Sequence, residues 1–252
     1  MSTKSEKQEK LEKLKKNSNL KKFSEIFLEK NKVINLISKN DEKFLFEKHI
    51  FDSLSIEKFF EKYNINPTGM SMLDIGTGGG FPSVPIAICY PELKVTGLDS
   101  IAKKIRAIED FKKDLNLENL SLINDRAENI KEKYDIVVSR AVSRLDKVVE
   151  YAMPLLKNGG YFVCYKSKQV FDEIREAKEL IFKKKAELLE VIEYKLPLEE
   201  NFERFLVVIK KESSSKWWRP FFSGYWVFRI RINLNLLFSN ISSFKSHCFR
   251  NI

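Results

Sequence analysis

Asp74 and the glycines behind it form the densest chemical signal in the chain. The stretch LDIGTGGGFPSVP, residues 73–85, places glycine at 76, 78, 79 and 80. Glycine adds nothing to a strand interior and costs conformational entropy. The run therefore marks either a tight connection or a place where a ligand comes close to the backbone. A phosphate-binding P-loop would end in Gly-Lys-Ser or Gly-Lys-Thr. Here Gly80 is followed by Phe81-Pro82, so the loop is not one. A dinucleotide fingerprint, G-x-G-x-x-G, fails as well, because Phe81 stands where the third glycine belongs. Asp74 sits two residues before Gly76. A carboxylate there is poor for a pyrophosphate and better for a cationic ligand.

Such a loop needs a strand before it and a helix after it, and the rest of the chain supplies the pattern. Short apolar, β-branched runs predict strands at about 71–75, 94–98, 119–124, 134–138, 160–165, 187–195 and 203–210. Helical patterns fall between them at about 82–90, 101–115, 144–156 and 169–184. Alternating strands and helices imply a parallel sheet covered on both faces. In such sheets ligands sit beyond the carboxyl ends of the strands, where the strand order reverses. Asp99 closes the second strand (GLDS, 97–100) and is placed to accept two ribose hydroxyls. NDRAEN (124–129) follows the third strand and would meet an adenine. SRAVSRL (139–145) follows the fourth and would face a group being transferred. S-adenosylmethionine, with its sulfonium and α-amino group, answers the acid, the loop and the spacing together.

Composition bounds the alternatives. The chain has 252 residues, a net charge of +10, three cysteines (Cys89, Cys164, Cys248) and two histidines (His49, His247). Scattered cysteines indicate neither a disulfide frame nor a zinc site, and suit a reducing cytosol. Two histidines leave little material for a metal centre or a Ser-His-Asp triad. No apolar run of about 18 residues indicates a transmembrane helix, and the Lys/Glu-rich start is not a secretory signal. A cytoplasmic protein is expected. The positive charge gathers at the ends. Residues 1–22 hold eight lysines against three glutamates, and residues 213–252 hold six lysines or arginines and no acid. This fits a polyanionic partner or a membrane surface, although such runs are often only solvated faces.

Residues 5–31 read as one lysine-rich helix carrying Leu11, Leu14, Phe23, Ile26 and Phe27, and residues 41–63 as a second helical stretch. NPTG (66–69) then breaks the chain. Residues 213–252 open on a serine run and hold all three tryptophans. That tail fits a basic-aromatic surface for RNA or membrane, or an appendage under little structural constraint. Three segments are expected: a helical N-terminal extension (1–68), a methyltransferase domain (69–212) and the tail (213–252).

The motifs LDIGTGGGFPSVPIAI, GLDSIAKKIRAIE, NDRAEN, DIVVSRAVSRL and ERFLVVIKK, in this order, resemble the bacterial small-subunit (16S) rRNA guanine-N7 methyltransferases, the RsmG or glucose-inhibited division protein B family. NLISKNDEKFLFEKHIFDSL (35–54) resembles that family's N-terminal signature, with His49, Asp52 and Ser53 in matching places. The resemblance spans about residues 20–211. It implies a Rossmann-like class I methyltransferase fold, a seven-stranded, mostly parallel sheet with an N-terminal helical extension. It also implies S-adenosyl-L-methionine as donor and small-subunit ribosomal RNA, free or in the small subunit, as acceptor. Carried over by position, Gly76, Phe81, Ala127, Glu128 and Arg140 would contact the cofactor, and the loop geometry adds Asp74, Gly78 and Asp99. Ser83 and Ser167 stand where the family commonly has glycine.

Guanine N7 carries a lone pair and no proton, so its methylation needs no general base. Arg140 is expected beside the reacting groups. Arg126, Arg144, Lys166, Lys168 and Arg204, with the N-terminal lysines, are expected to meet RNA phosphates. Phe81 fits either a wall for a splayed-out guanine or the core. His49 and Asp52, one helical turn apart, are within pairing reach of each other and are read as structural, tying the extension to the sheet, in preference to a substrate role. A monomer is expected. Two other functions remain open at this stage: a methyltransferase acting on a small molecule or a protein, and an RNA-binding module with a degenerate cofactor site.

Overall fold

A computed structural model describes residues 4–198 and 202–213. The tail, apart from Ser213, lies outside the described residues. Two helices open the chain, α1 (Lys4–Lys16) and α2 (Ser18–Ile34), followed by α3 (Lys39–Glu42), a π-helical turn (Leu45–Ile50), α4 (Phe51–Ser53), a 3-10 turn (Leu54–Ile56) and α5 (Glu57–Tyr63). The strands are β1 (Ser71–Ile75), β2 (Lys94–Leu98), β3 (Leu120–Ile123), β4 (Tyr134–Arg140), β5 (Leu156–Lys166), β6 (Ala186–Lys195) and β7 (Glu203–Lys211). Between them lie α6 (Ser83–Cys89), α7 (Ala102–Asp114), a 3-10 turn (Ala127–Asn129), α8 (Leu145–Leu155) and α9 (Val170–Lys183).

Among the described residues the seven strands form one sheet in the order β3-β2-β1-β4-β5-β7-β6. β1 through β5 run parallel, and β7 is antiparallel to both β5 and β6. The order reverses between β1 and β4, which puts the ligand crevice of such sheets at their carboxyl ends. Strand alternation divides the core into two layers. Met72, Val95, Ile136, Val138 and Val163 pack against α1, α2, α6 and α7. Leu73, Ile75, Leu98, Val137 and Phe162 pack against α8 and α9. Asp74, lying between Leu73 and Ile75, points into the first layer, toward α6.

The N-terminal region departs from expectation. Asn17 splits the expected single helix in two. Its backbone is extended (φ −68°, ψ 118°), and its side chain accepts the N–H groups of Asn19 and Leu20 at the start of α2. The expected second helical stretch is present but is made of short α, π and 3-10 pieces. Leu11, Phe23 and Phe27 are buried in the same cluster as Met72 and Val95 of the sheet. The helical extension therefore shares one core with the sheet layer that carries Asp74.

Candidate functional site

The glycine loop leaves β1 and is clamped at once to the end of β2. Gly76 and Thr77 N–H both donate to Leu98 O, at 2.8 and 2.9 Å. Gly78 N–H donates to Asp99 Oδ2 at 2.9 Å, and Ile101 N–H to Asp99 Oδ1 at 2.9 Å. Each Asp99 oxygen keeps lone-pair capacity for a further donor. Asn124 Nδ2 donates to Asp99 O at 2.9 Å and joins the end of β3 to the same corner. The 3-10 turn with Ala127 and Glu128 follows, and Glu128 is exposed.

Gly76, Gly78 and Gly80 have positive φ, the conformation that only glycine adopts cheaply. At Gly76 (φ +72°) a Cβ would stand 2.4 Å from Val142 Cγ2, whereas at Gly78 it would meet only Gly76 O, at 3.8 Å. The loop is thus packed on one side and open at Gly78. Gly76→Ala is expected to destabilise the protein by roughly 1–2 kcal/mol through the left-handed backbone alone, and by more through the Val142 contact. Adding Val142→Ala should recover the contact part and leave the backbone part, as read by thermal denaturation of the single and double variants.

Asp74 is fully buried. Its Oδ2 accepts Ser83 N–H at 3.3 Å, and its Oδ1 has no hydrogen-bond partner. Burial pushes the carboxyl up to about 7, against the opposing pull of Thr77, Ser83 and the Arg140 charge. The Ser83 hydroxyl hydrogen-bonds Thr77 Oγ1. The serine that departs from the resembled pattern thus belongs to the frame around Asp74. A buried carboxylate with an orphaned oxygen is costly unless something arrives to pair with it.

Arg140 closes β4, one residue past Ser139, the register partner of Ile75. Its Nε donates to Asp52 Oδ2 at 2.7 Å and its Nη2 to Lys48 O at 2.9 Å; Nη2 also lies 3.2 Å from His49 Nδ1. Its Cζ is 5.9 Å from the centroid of the Phe81 ring. His49 and Asp52 make no hydrogen bond to each other, although they stand one helical turn apart. The chain is π-helical over Leu45–Ile50, and both side chains turn to the Arg140 guanidinium instead. Burial, with the Arg140 charge, pushes His49 down to about 4, so the ring is neutral at physiological pH. Phe81 is a core residue. Its ring packs on Phe27 at 5.1 Å, Phe23 at 5.6 Å and His49 at 5.1 Å. Burial pushes the Cys89 and Cys164 thiols up to about 11 and about 12, so neither is a nucleophile near neutrality.

The cations expected to meet RNA separate into two groups. Lys166 is paired with Glu173 at 2.6 Å and is only 10% exposed, and Arg204 Nε is buried without a partner. Arg144 pairs with Glu176, and Lys168 lies 3.3 Å from Glu203, but both are well exposed. Arg126 is exposed and has no ion pair among the described residues. Sequence reasoning missed two apolar side chains that face solvent here, Ile101 (42% exposed) two residues past Asp99 and Val142 (41%) against Gly76. It also missed Tyr194, whose Oη donates to Asp52 at 2.6 Å. An exposed aliphatic after a strand-end acid could have flagged the first, but a partner 142 residues away left no local signal.

An orphaned buried acid, an open glycine, a strand-end carboxylate with spare lone pairs and flanking apolar surface fit an amine, a ribose diol and a flat base. With the strand order above, they define a class I S-adenosylmethionine-dependent methyltransferase. The YcgJ protein from Bacillus subtilis shares the fold, with a TM-score of 0.51 and 14% identity over 64% of this chain and 99% of that one. So does P. horikoshii TYW2 in complex with MeSAdo, at TM-score 0.50 and 16% identity over 64% of this chain and 62% of that one.

Sequence relatives narrow the class. Residues 16–202 match the family described as rRNA small subunit methyltransferase G. The ribosomal RNA small subunit methyltransferase G of Lysinibacillus sphaericus (strain C3-41) is 39% identical over 197 residues, 76% of this chain and 81% of that protein. The protein of the same name from Bacillus subtilis (strain 168) is 36% identical over 200 residues, 77% of this chain and 82% of that one. The chain belongs to the rRNA small subunit methyltransferase G family.

Proposed function

We propose that the protein transfers a methyl group from S-adenosylmethionine to N7 of a guanine in 16S ribosomal RNA. The observation that carries the chemistry is an arginine fixed at the switch point with no histidine or cysteine base poised near neutrality among the described residues. N7 presents a lone pair and loses no proton, so such a site suits it. When bound, S-adenosylmethionine supplies the electrophilic sulfonium methyl. Asp74 takes the cationic amine end, Asp99 the ribose hydroxyls, and Gly76, Gly78, Ala127 and Glu128 line the cleft. Phe81 contributes through its backbone and by supporting Arg140. Arg140 contacts the cofactor and holds the acceptor base in line, where positioning alone contributes several kcal/mol, while fixed dipoles around the cleft stabilise the positive charge as it passes from sulfur to base.

Phosphate contacts fall to Arg126, Arg144 and Lys168, the exposed cations, with support from the N-terminal lysines. Lys166 and Arg204 act within the fold. The N-terminal helical segment, sharing its core with the sheet, forms one working unit with residues 69–212. The enzyme acts in the cytoplasm as a monomer.

The test is methyl transfer from labelled S-adenosylmethionine to 16S rRNA and small subunits lacking the modification, with the modified base mapped. One N7-methylguanine is the expected result. Cofactor binding with no labelling of rRNA would move the acceptor to a small molecule or a protein. No cofactor binding would reduce the glycine loop to a connection.

A further inference from the structure

Arg140 is held more completely than a strand-end ion pair requires. Three acceptors from the N-terminal segment, Asp52 Oδ2, Lys48 O and His49 Nδ1, take Nε and Nη2. Nη1 is left without a hydrogen bond among the described residues. The Arg140 side chain is 13% exposed and that of Asp52 is 3%. Behind Asp52, Tyr194 Oη on β6 donates to Oδ1 at 2.6 Å, while Tyr165 Oη on β5 donates to Ser53 O at 2.7 Å. Both tyrosines are buried, and burial and the Asp52 charge raise their phenols well above the ordinary range, so both remain donors.

A buried ion pair is a weak device for stability, because desolvation offsets most of its attraction. It is a strong device for orientation. A guanidinium fixed through Nε and Nη2 has its plane determined and presents its remaining edge in one direction. We infer that Asp52, braced by Tyr194, is the positioning residue for Arg140, so that the N-terminal segment completes the methyl-transfer site. This rests on the role proposed for Arg140 above. Asp52 is buried behind the guanidinium, with one oxygen on Arg140 and the other on Tyr194, and acts only through the orientation of Nη1.

The experiment is a double-mutant cycle on the full chain with 16S substrate. Asp52→Asn and Tyr194→Phe are each made alone and with Arg140→Lys, which keeps a cation opposite Asp52 but has no fork to orient. Asp52→Asn is expected to lower kcat about 30-fold, in the range that misplacement of a positioned group costs, with the KM for RNA within about twofold. Tyr194→Phe should lower kcat about fivefold in the same manner. On Arg140→Lys, neither change should cost more than about twofold further. The inference is overturned if folded Asp52→Asn keeps its kcat, or if the losses multiply with that of Arg140→Lys. If Asp52→Asn does not fold, the Tyr194→Phe cycle decides by the same two criteria. If the wild-type enzyme labels no rRNA, the proposed function fails. The cycle is then read on the Kd for S-adenosylmethionine, where non-additive effects support the positioning role and independent effects overturn it.

Discussion

Asp74→Ala is expected to abolish methyl transfer and to weaken S-adenosylmethionine binding at least about 100-fold, equivalent to about 2.7 kcal/mol. The reason lies in the state of the carboxyl before the ligand arrives. Asp74 is fully buried, one of its oxygens has no partner, and it titrates at about 7 rather than in the ordinary carboxylate range. In the free protein the raised value favours folding below the ordinary carboxylate value. That contribution falls away as pH rises through about 7, where the native carboxyl must lose its proton too. A cationic ligand prefers the ionised form, so binding expels a proton and tightens as pH rises. Affinity should improve about eightfold between pH 6 and pH 7.5, the ratio of ionised fractions for a group titrating near 7. Calorimetry in buffers of different ionisation enthalpy would register the released proton. Asp74→Asn should flatten the pH profile. It should also leave the free protein at least as stable at pH 8, because it removes a buried charge with one oxygen left unpartnered. A wild-type affinity that does not change from pH 6 to 7.5 would remove Asp74 from contact with the cationic end.

The parts of this site that follow from local chemistry could be read directly from residues. Asp74, the glycine run and Asp99 stand at strand ends, and strand ends are set by period-two apolar runs such as SMLDI and KVTGL; β1 and β2 occupy the expected residues. Two strand ends moved by more than one residue because pairing, not propensity, set them. β4 runs on to Arg140 because Arg140 pairs with Tyr165, and β5 starts at Leu156 because Leu156 pairs with Tyr134. The break at Asn17 was readable in principle, since Asn-Ser before an apolar-periodic stretch is an N-cap signal. The short pieces between Lys39 and Tyr63 were not. Their geometry follows from what they pack against, as the turn of His49 and Asp52 toward Arg140 shows. Those partners lie 91 and 88 residues along the chain, beyond the reach of any spacing rule. Phe81 is the instructive case. Its place in the motif marked it for function, but whether its ring faced a base or the core depended on Phe23 and Phe27, far away in sequence.

Phe27→Ala is expected to have the largest effect on stability and to reach the cofactor loop as well. Phe27 is fully buried, and its ring lies 5.6 Å from Phe23, 5.1 Å from Phe81 and 5.8 Å from Phe111. It therefore joins α2 to the glycine loop and to α7 in one aromatic cluster. Truncating a buried phenylalanine costs about 3–5 kcal/mol. In a unit of this size each kcal/mol lowers Tm by about 2–4 °C, so a fall of roughly 10 °C is expected in a thermal melt. Val33→Ala on the same helix, at a side chain 80% exposed, should stay within about 0.5 kcal/mol of wild type. The loop responds because its backbone leans on this ring. A Cβ placed on Gly79 would stand 3.2 Å from Phe27 Cε2, so glycine is what lets the loop and the ring meet. With the ring gone, Phe81 loses a neighbour and the segment holding Gly78 against Asp99 loses its backing. Folded Phe27→Ala should therefore bind S-adenosylmethionine about tenfold more weakly, a change of about 1.4 kcal/mol. If the melting temperature falls while cofactor affinity stays at the wild-type value, α2 supports the core but not the loop. If both fall together, the N-terminal helices and the glycine loop are one mechanical unit, as their shared cluster requires.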